Sequence, residues 1–249
     1  MLRQIIISIS ALRVSKDFIT RYRLWENWQS MKWMHTAFIV FAIFMGIKMF
    51  GVVGAFISGL GHLVSGDTST MKLGFSGNIF TGDFSFLKSD TYKYLFLFFT
   101  LSLVYHFGGR ALEILYNVPY KPSFKQFLVN QKRALLVLLV GFILEQIFTG
   151  VASGMLSITG GKWLTGVVNF IIQSFIFGAI LIDGLHEVRG TDFKQGFKHS
   201  FNYYPGIALS LGAVGLALSY IPVIGVLLVG SVVTIAILIA IKRTEAVMA

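Results

Sequence analysis

The chain contains no cysteine. Disulfides, thiol nucleophiles and Cys-ligated zinc or iron-sulfur centres are thereby excluded, and the redox compartment is left open. Charge is scarce as well: Asp, Glu, Lys and Arg make up 13% of the 249 residues, while hydrophobic residues reach 55% and mean hydropathy is +0.74. A water-soluble globule of that composition exposes too much apolar surface. No Gly-rich phosphate loop, zinc-protease helix or nucleophile-elbow pentapeptide occurs, so enzymatic chemistry, a cofactor and a resident metal are not expected.

The longest shortage of charge is the most informative. Gly206 to Ile241 runs for 36 positions without Asp, Glu, Lys, Arg or His, and as one straight helix it would be roughly 54 Å long. A bilayer core of about 30 Å takes about 20 residues, so the chain must turn back. Pro222, lacking a backbone donor and restricting Ile221, with Gly225 three residues on to relax the turn, marks the place.

What is present fits an all-α integral membrane protein, a bundle of about six hydrophobic segments. Leu2, Ile5, Ile6, Ile9 and Leu12 recur at helical spacing while Arg3, Gln4, Arg13 and Lys16 fall mainly elsewhere, so residues 1–33 are expected to open with a basic amphipathic helix on the membrane surface, retained rather than cleaved. Trp25, Trp28 and Trp33 beside Arg21, Arg23 and Lys32 form an aromatic belt at headgroup level. Residues 34–243 form the membrane domain. Within it a first span runs from about Met34 to Leu60, and residues 61–93 form an extramembrane loop. A second span runs from near Tyr94 past Arg110 to Tyr116, and Ser123 with Gln126 gives a capping-box start to a third helix. Ala134 to Phe148 is a 15-residue apolar stretch followed by Gly150, Gly154, Gly160 and Gly161. Trp163 to Ile182 is a full-length fourth segment, and polar residues from Asp183 to Tyr204 separate it from the terminal hairpin. Residues 244–249 are a short tail.

Lys and Arg number 16 in residues 1–33, 108–133, 183–205 and 242–249, against 4 in residues 61–93 and 149–162. The positive-inside rule puts both termini in the cytoplasm, and the net charge of +10 reads as anchoring to anionic headgroups rather than nucleic-acid binding.

Several polar residues in this apolar background carry alternative readings. Lys48, about 14 residues into the first span, either meets an anionic solute near mid-bilayer or snorkels to the surface. His106, Arg110, Glu113 and Asn117 align on one helical face, as the mouth of a pathway or as a solvated face where the helix leaves the membrane. Glu145 is the only acid of the third segment, and Thr165, Asn169 and Gln173 form a polar row in the fourth; helix-to-helix hydrogen bonding is the expected role, with coupling to a pathway the alternative. Ala208 with Gly212, and Gly215 with Ser219, are small-residue pairs suited to close helix packing. Asp183, His186 and Glu187, with His199 nearby, are read as a hydrated loop cluster rather than a metal site.

The stretches Arg21-Tyr22-Arg23-Leu24-Trp25, Arg110-Ala111-Leu112-Glu113 with Phe124 to Arg133, and Gly206-Ile207-Ala208-Leu209-Ser210-Leu211-Gly212 followed by Ile221-Pro222-Val223-Ile224-Gly225 resemble the EI24/CysZ family of bacterial membrane proteins over about residues 20–243. That resemblance implies two long spanning helices plus two helical pairs that penetrate only partway, an inner-membrane location, oligomers, and uptake of sulfate. On that reading the chain is a permease or channel for a small oxyanion. Arg21, Arg23 and Arg110 concentrate the anion, half-length helices present amide dipoles to it, and Lys48 offsets its charge. The alternative is a non-transporting accessory subunit of a larger membrane complex. Partners are membrane lipids and either further copies of the chain or other membrane subunits.

Overall fold

The computed structural model describes residues 1–26, 36, 39, 90–117, 119, 120, 123–221 and 223–248. The first span with Lys48, Trp28, Trp33, most of the 61–93 loop and Pro222 itself lie outside the described residues. All regular structure among the described residues is helical. The elements are α1 (Leu2–Arg21), α2 (Asp90–Tyr116), α3 (Phe124–Ile158), a 3-10 turn (Lys162–Leu164), α4 (Thr165–Val188), α5 (Phe193–Asn202), α6 (Pro205–Ser219), α7 (Ile224–Leu228), a π turn (Val229–Val233) and α8 (Thr234–Met248).

Among the described residues four helical stretches are long and apolar enough to cross a bilayer: Tyr92–Tyr116, Phe124–Ile158, Lys162–Val188 and Ile224–Val247. Their outward surface is apolar as well. Leu135, Leu139, Ile143, Ile147, Val151 and Met155 of α3 all face outward, forming a lengthwise apolar stripe that water would not tolerate. The chain is a multi-pass membrane protein.

Helices α6 and α4 pack backbone against backbone. A Cβ on Gly178 would collide with the Ala208 carbonyl, and one on Gly212 with the Ser174 carbonyl. The two backbones therefore touch, the role expected of Ala208 and Gly212. Gly215 completes the seam against the Phe177 ring.

Several expectations need correction. Helix α3 does not stop at Phe148 but continues to Ile158. Gly150 and Gly154 have nothing within 4 Å of where a side chain would stand, so they are single tolerated glycines in a good helical sequence, not breaks. Ser123 caps α3 by accepting from Gln126 N at 3.2 Å, but the Gln126 side chain turns forward to Asn130 Oδ1 at 2.9 Å, leaving half of a capping box. Helix α2 starts at Asp90, taking the last residues of the expected loop. Helix α4 runs on to Val188, so Asp183 and His186 belong to a helix interior and are buried. They are not in a hydrated loop.

The terminal hairpin turns where expected, between Ser219 and Ile224. The left-handed residue there is Val223, with φ of 36°, whereas Gly225 is helical. Its missing side chain serves close contact instead: a Cβ would strike the Leu218 carbonyl and lie 3.2 Å from Phe96 Cε2. Tyr92 OH donates to Ser219 O at 2.7 Å, fixing this turn at the N-terminal end of α2. Helix α6 has 15 residues and alone covers roughly 22 Å, short of the hydrocarbon thickness. It meets α5 at 96°.

Helix α1 forms as expected, and it packs along α6 and α8 through Ser8, Ala11 and Ser15. Ser8 and Ser15 return their hydroxyls to Gln4 O and Leu12 O, each at 2.8 Å, so small polar residues are buried there without an unmet donor. Leu2, Ile6 and Ile9 of the apolar stripe face outward.

Candidate functional site

Polar side chains gather at two levels of the bundle. At the N-terminal end of α2, Lys93 donates to Glu145 Oε1 of α3, and Tyr94 OH donates to Glu145 Oε2 at 2.8 Å. Glu145 is 2% exposed, so its charge is met by one ammonium and one phenol. The helix-to-helix role expected of Glu145 is what the structure shows.

The opposite end is denser. The C-terminal part of α2, the first turns of α3, the last turns of α4, α5 and the end of α8 converge there. Arg133 of α3 donates to Asp183 Oδ1 of α4 at 3.0 Å and to the Thr191 carbonyl. Asp183 has no exposed surface. Gly196 of α5 sits directly on its carboxylate, where any Cβ would collide with Oδ1. A glycine is thus required at this point for α5 to close over the Arg133–Asp183 pair.

One turn along α4, His186 stacks on Tyr204 at 6.3 Å between ring centroids and meets His199 edge-on at 5.4 Å. Arg189 lies over the Tyr116 ring at 4.0 Å and is 3.7 Å from Glu245. Glu245 also accepts from Tyr116 OH at 3.1 Å and Tyr204 OH at 3.0 Å. The end of α8 is thereby bound to α2, α4 and the start of α6. Lys242 Nζ donates to Leu115 O at 2.6 Å and Arg243 to Ser10 Oγ of α1 at 2.7 Å.

The His106 row divides. His106 is fully buried, its Nε2 3.2 Å from Leu24 O, which overturns the solvated reading for that residue. Arg110 donates to Glu113 Oε2 at 2.8 Å, with both side chains partly exposed. Asn117 leaves the face altogether: α2 ends at Tyr116, and Asn117 takes a left-handed φ of 55°, a conformation asparagine tolerates. Tyr120 lies against Gly109, where a Cβ would enter its ring; its buried hydroxyl has no partner among the described residues, and burial pushes its pKa up.

Arg21 and Arg23 are on the surface. Arg21 stands over the Tyr22 ring at 5.9 Å, and Arg23 pairs with Glu26 at 3.3 Å. The buried Leu24 ties their turn to α2 at His106, one helical turn from Arg110. In α4, Asn169 Oδ1 accepts from Ser153 Oγ of α3 across 3.5 Å, a long bond, while Gln173 and Thr165 are half-buried on the same helix.

The first two positions of the half-length helix offer no free amide to an anion. Pro205 has no N–H, and Gly206 N is taken by Gln4 Oε1 at 2.8 Å, while Gln4 Nε2 reaches Tyr203 O at 2.6 Å. Unmet cationic donors are found on guanidinium groups. Arg110 Nε, Arg133 Nε and Arg189 Nη2 are buried donors without a hydrogen-bond partner among the described residues. The Arg133–Asp183–His186–Arg189 cluster was missed as a site because the charged residues of α4 were assigned to a loop. The spacing of Asp183, Glu187 and, three residues on from His186, Arg189 carried the helical signal.

Among the described residues no group of three His, Cys, Asp or Glu side chains is arranged to hold a metal ion. Comparison with family models, curated proteins and solved structures finds no match to this chain.

Proposed function

We propose that this protein is a permease for a small oxyanion, sulfate on the sequence resemblance, residing in the bacterial inner membrane with the arginine-rich end in the cytoplasm. One observation carries the reading. Three arginines at one end of the bundle, Arg110, Arg133 and Arg189, are each tied to a single carboxylate, Glu113, Asp183 and Glu245, and each keeps one buried N–H without a partner among the described residues. Guanidinium donors in low dielectric favour tetrahedral oxyanions, and the attached carboxylates keep the end from holding the anion too tightly to release it. The positive-inside count supports the orientation. Arg21, Arg23 and Lys48 keep their assigned roles of concentrating the anion and offsetting its charge, and guanidinium groups replace helix amides as its contacts.

Uptake of labelled sulfate into proteoliposomes tests this. Saturable uptake that falls in Arg110→Gln and in Lys48→Met is expected; absence of saturable uptake, or uptake unchanged in both variants, overturns it.

The outward apolar stripe of α3 favours a second reading, an accessory subunit that docks through this face on another membrane protein. Co-purification of a stoichiometric partner in mild detergent, together with no sulfate uptake by the isolated chain, supports that reading over the first.

A further inference from the structure

Between α2, α3 and α4 lies a cavity of about 10 Å³ lined by Tyr105, Asn130, Gln131, Gly184 and Glu187 among others. It has room for one water-sized particle. Its polar lining is rich in oxygen acceptors. Gln131 is 8% exposed, and its Oε1 has no hydrogen-bond partner among the described residues. Asn130 Oδ1 is held in place by Gln126 Nε2 at 2.9 Å. Glu187 contributes a carboxylate.

The acids around this cavity are not equally partnered. The charges that act on Glu187 are those of Arg133 and Asp183, and Arg133 is already bonded to Asp183 Oδ1. Arg133 is thus committed to Asp183, and Glu187 has no ion pair of its own among the described residues. Arg189, the next cation on α4, is engaged with Glu245 and Tyr116, and the adjacent Lys132 of α3 is exposed. A second buried acceptor, Asp183 Oδ2, is also without a partner. A carboxyl group without a cationic partner beside unpartnered acceptors is unfavourable in low dielectric. A small hard cation gives Glu187 a counter-charge and the unpartnered Gln131 oxygen a partner, and oxygen ligands are what such a cation takes.

We propose that this cavity binds one small monovalent cation of the sodium class, with Glu187 as its charge partner and Gln131 and Asn130 as neutral oxygen ligands. The site stands independently of the permease reading: loss of sulfate uptake leaves it untouched, and its own test measures no flux.

The experiment is thermal unfolding of the full chain in detergent, with sodium chloride exchanged for choline chloride at constant ionic strength. At sodium concentrations ten times half-saturation the wild-type midpoint rises by about 3 °C over choline. In Glu187→Gln and in Gln131→Leu the sodium-specific rise is lost. Gln131→Leu leaves every charge in place, so it decides the matter if Glu187→Gln does not fold. Equal midpoints in sodium and choline for the wild type, or a sodium effect retained in Gln131→Leu, overturn the proposal. A wild-type midpoint that rises on acidification yet ignores sodium assigns the occupant as a proton and overturns it equally.

Discussion

Arg133 Nη2 of α3 stands 3.0 Å from Asp183 Oδ1 of α4, and the aspartate has no solvent-exposed surface. Both residues lie where sequence places the edge of the membrane, and α5 covers the pair through Gly196. Removing the cation leaves a buried carboxylate with no counter-charge. Arg133→Met is expected to destabilise the protein by about 3–5 kcal/mol, read as a lowered midpoint of unfolding in mixed micelles. Adding Asp183→Leu to Arg133→Met should recover part of that loss, because the pair is coupled and the two effects do not add. Strict additivity would show that the two side chains do not act on one another.

The Lys93–Glu145 pair predicts the same pattern at the other end of the bundle. Lys93→Met strands Glu145, and a loss of about 3–5 kcal/mol is expected. Tyr94→Phe removes one hydrogen bond to the same carboxylate and should cost about 1.5–3 kcal/mol. A Lys93→Met variant as stable as wild type would show that Glu145 draws its compensation elsewhere.

The glycines of the membrane helices should divide sharply under substitution. Gly212→Val forces a side chain into the Ser174 carbonyl and the Gly178 backbone, neither of which can rotate away; a loss of about 3 kcal/mol or more is expected. Gly154→Ala meets nothing within 4 Å and should stabilise α3 by up to about 1 kcal/mol. Unfolding midpoints of the two variants measured side by side check the contrast.

Glu245 binds the end of α8 to three other helices through Tyr116, Tyr204 and Arg189. The groups are partly exposed, so the effect is moderate: Glu245→Ala should cost about 1–2 kcal/mol. The local consequence is larger, because the final turn loses its attachment. Trypsin cleavage after Lys242 or Arg243 should accelerate in this variant with little change elsewhere in the chain.

The membrane class, the end of α2 at Tyr116, the Ser123 start of α3 and the turn before Ile224 were legible because each rests on local chemistry: apolar length, a capping serine, a proline. The Gly212 contact was legible for the same reason. Two features were not. The continuation of α3 through Gly150 and Gly154 depends on those positions having no neighbour, so a propensity cost that ends a marginal helix is absorbed by a long one. The burial of Asp183 and His186 depends on α5 folding back over the end of α4, a tertiary event that converts a charged run, usually solvated, into an interior cluster. The inward face of α1 was hidden likewise, since packing selected Ser8, Ala11 and Ser15 for closeness and left the larger apolar side chains facing outward.

Two-sided labelling of single cysteines tests the account most directly, because it asks whether α3 carries the arginine cluster to the cytoplasmic side. The chain has no native cysteine to interfere. With a membrane-impermeant maleimide, Ser157→Cys should label in intact cells and Lys125→Cys only after the membrane is opened. Labelling of both from the same side, or of Lys125→Cys in intact cells, would contradict it.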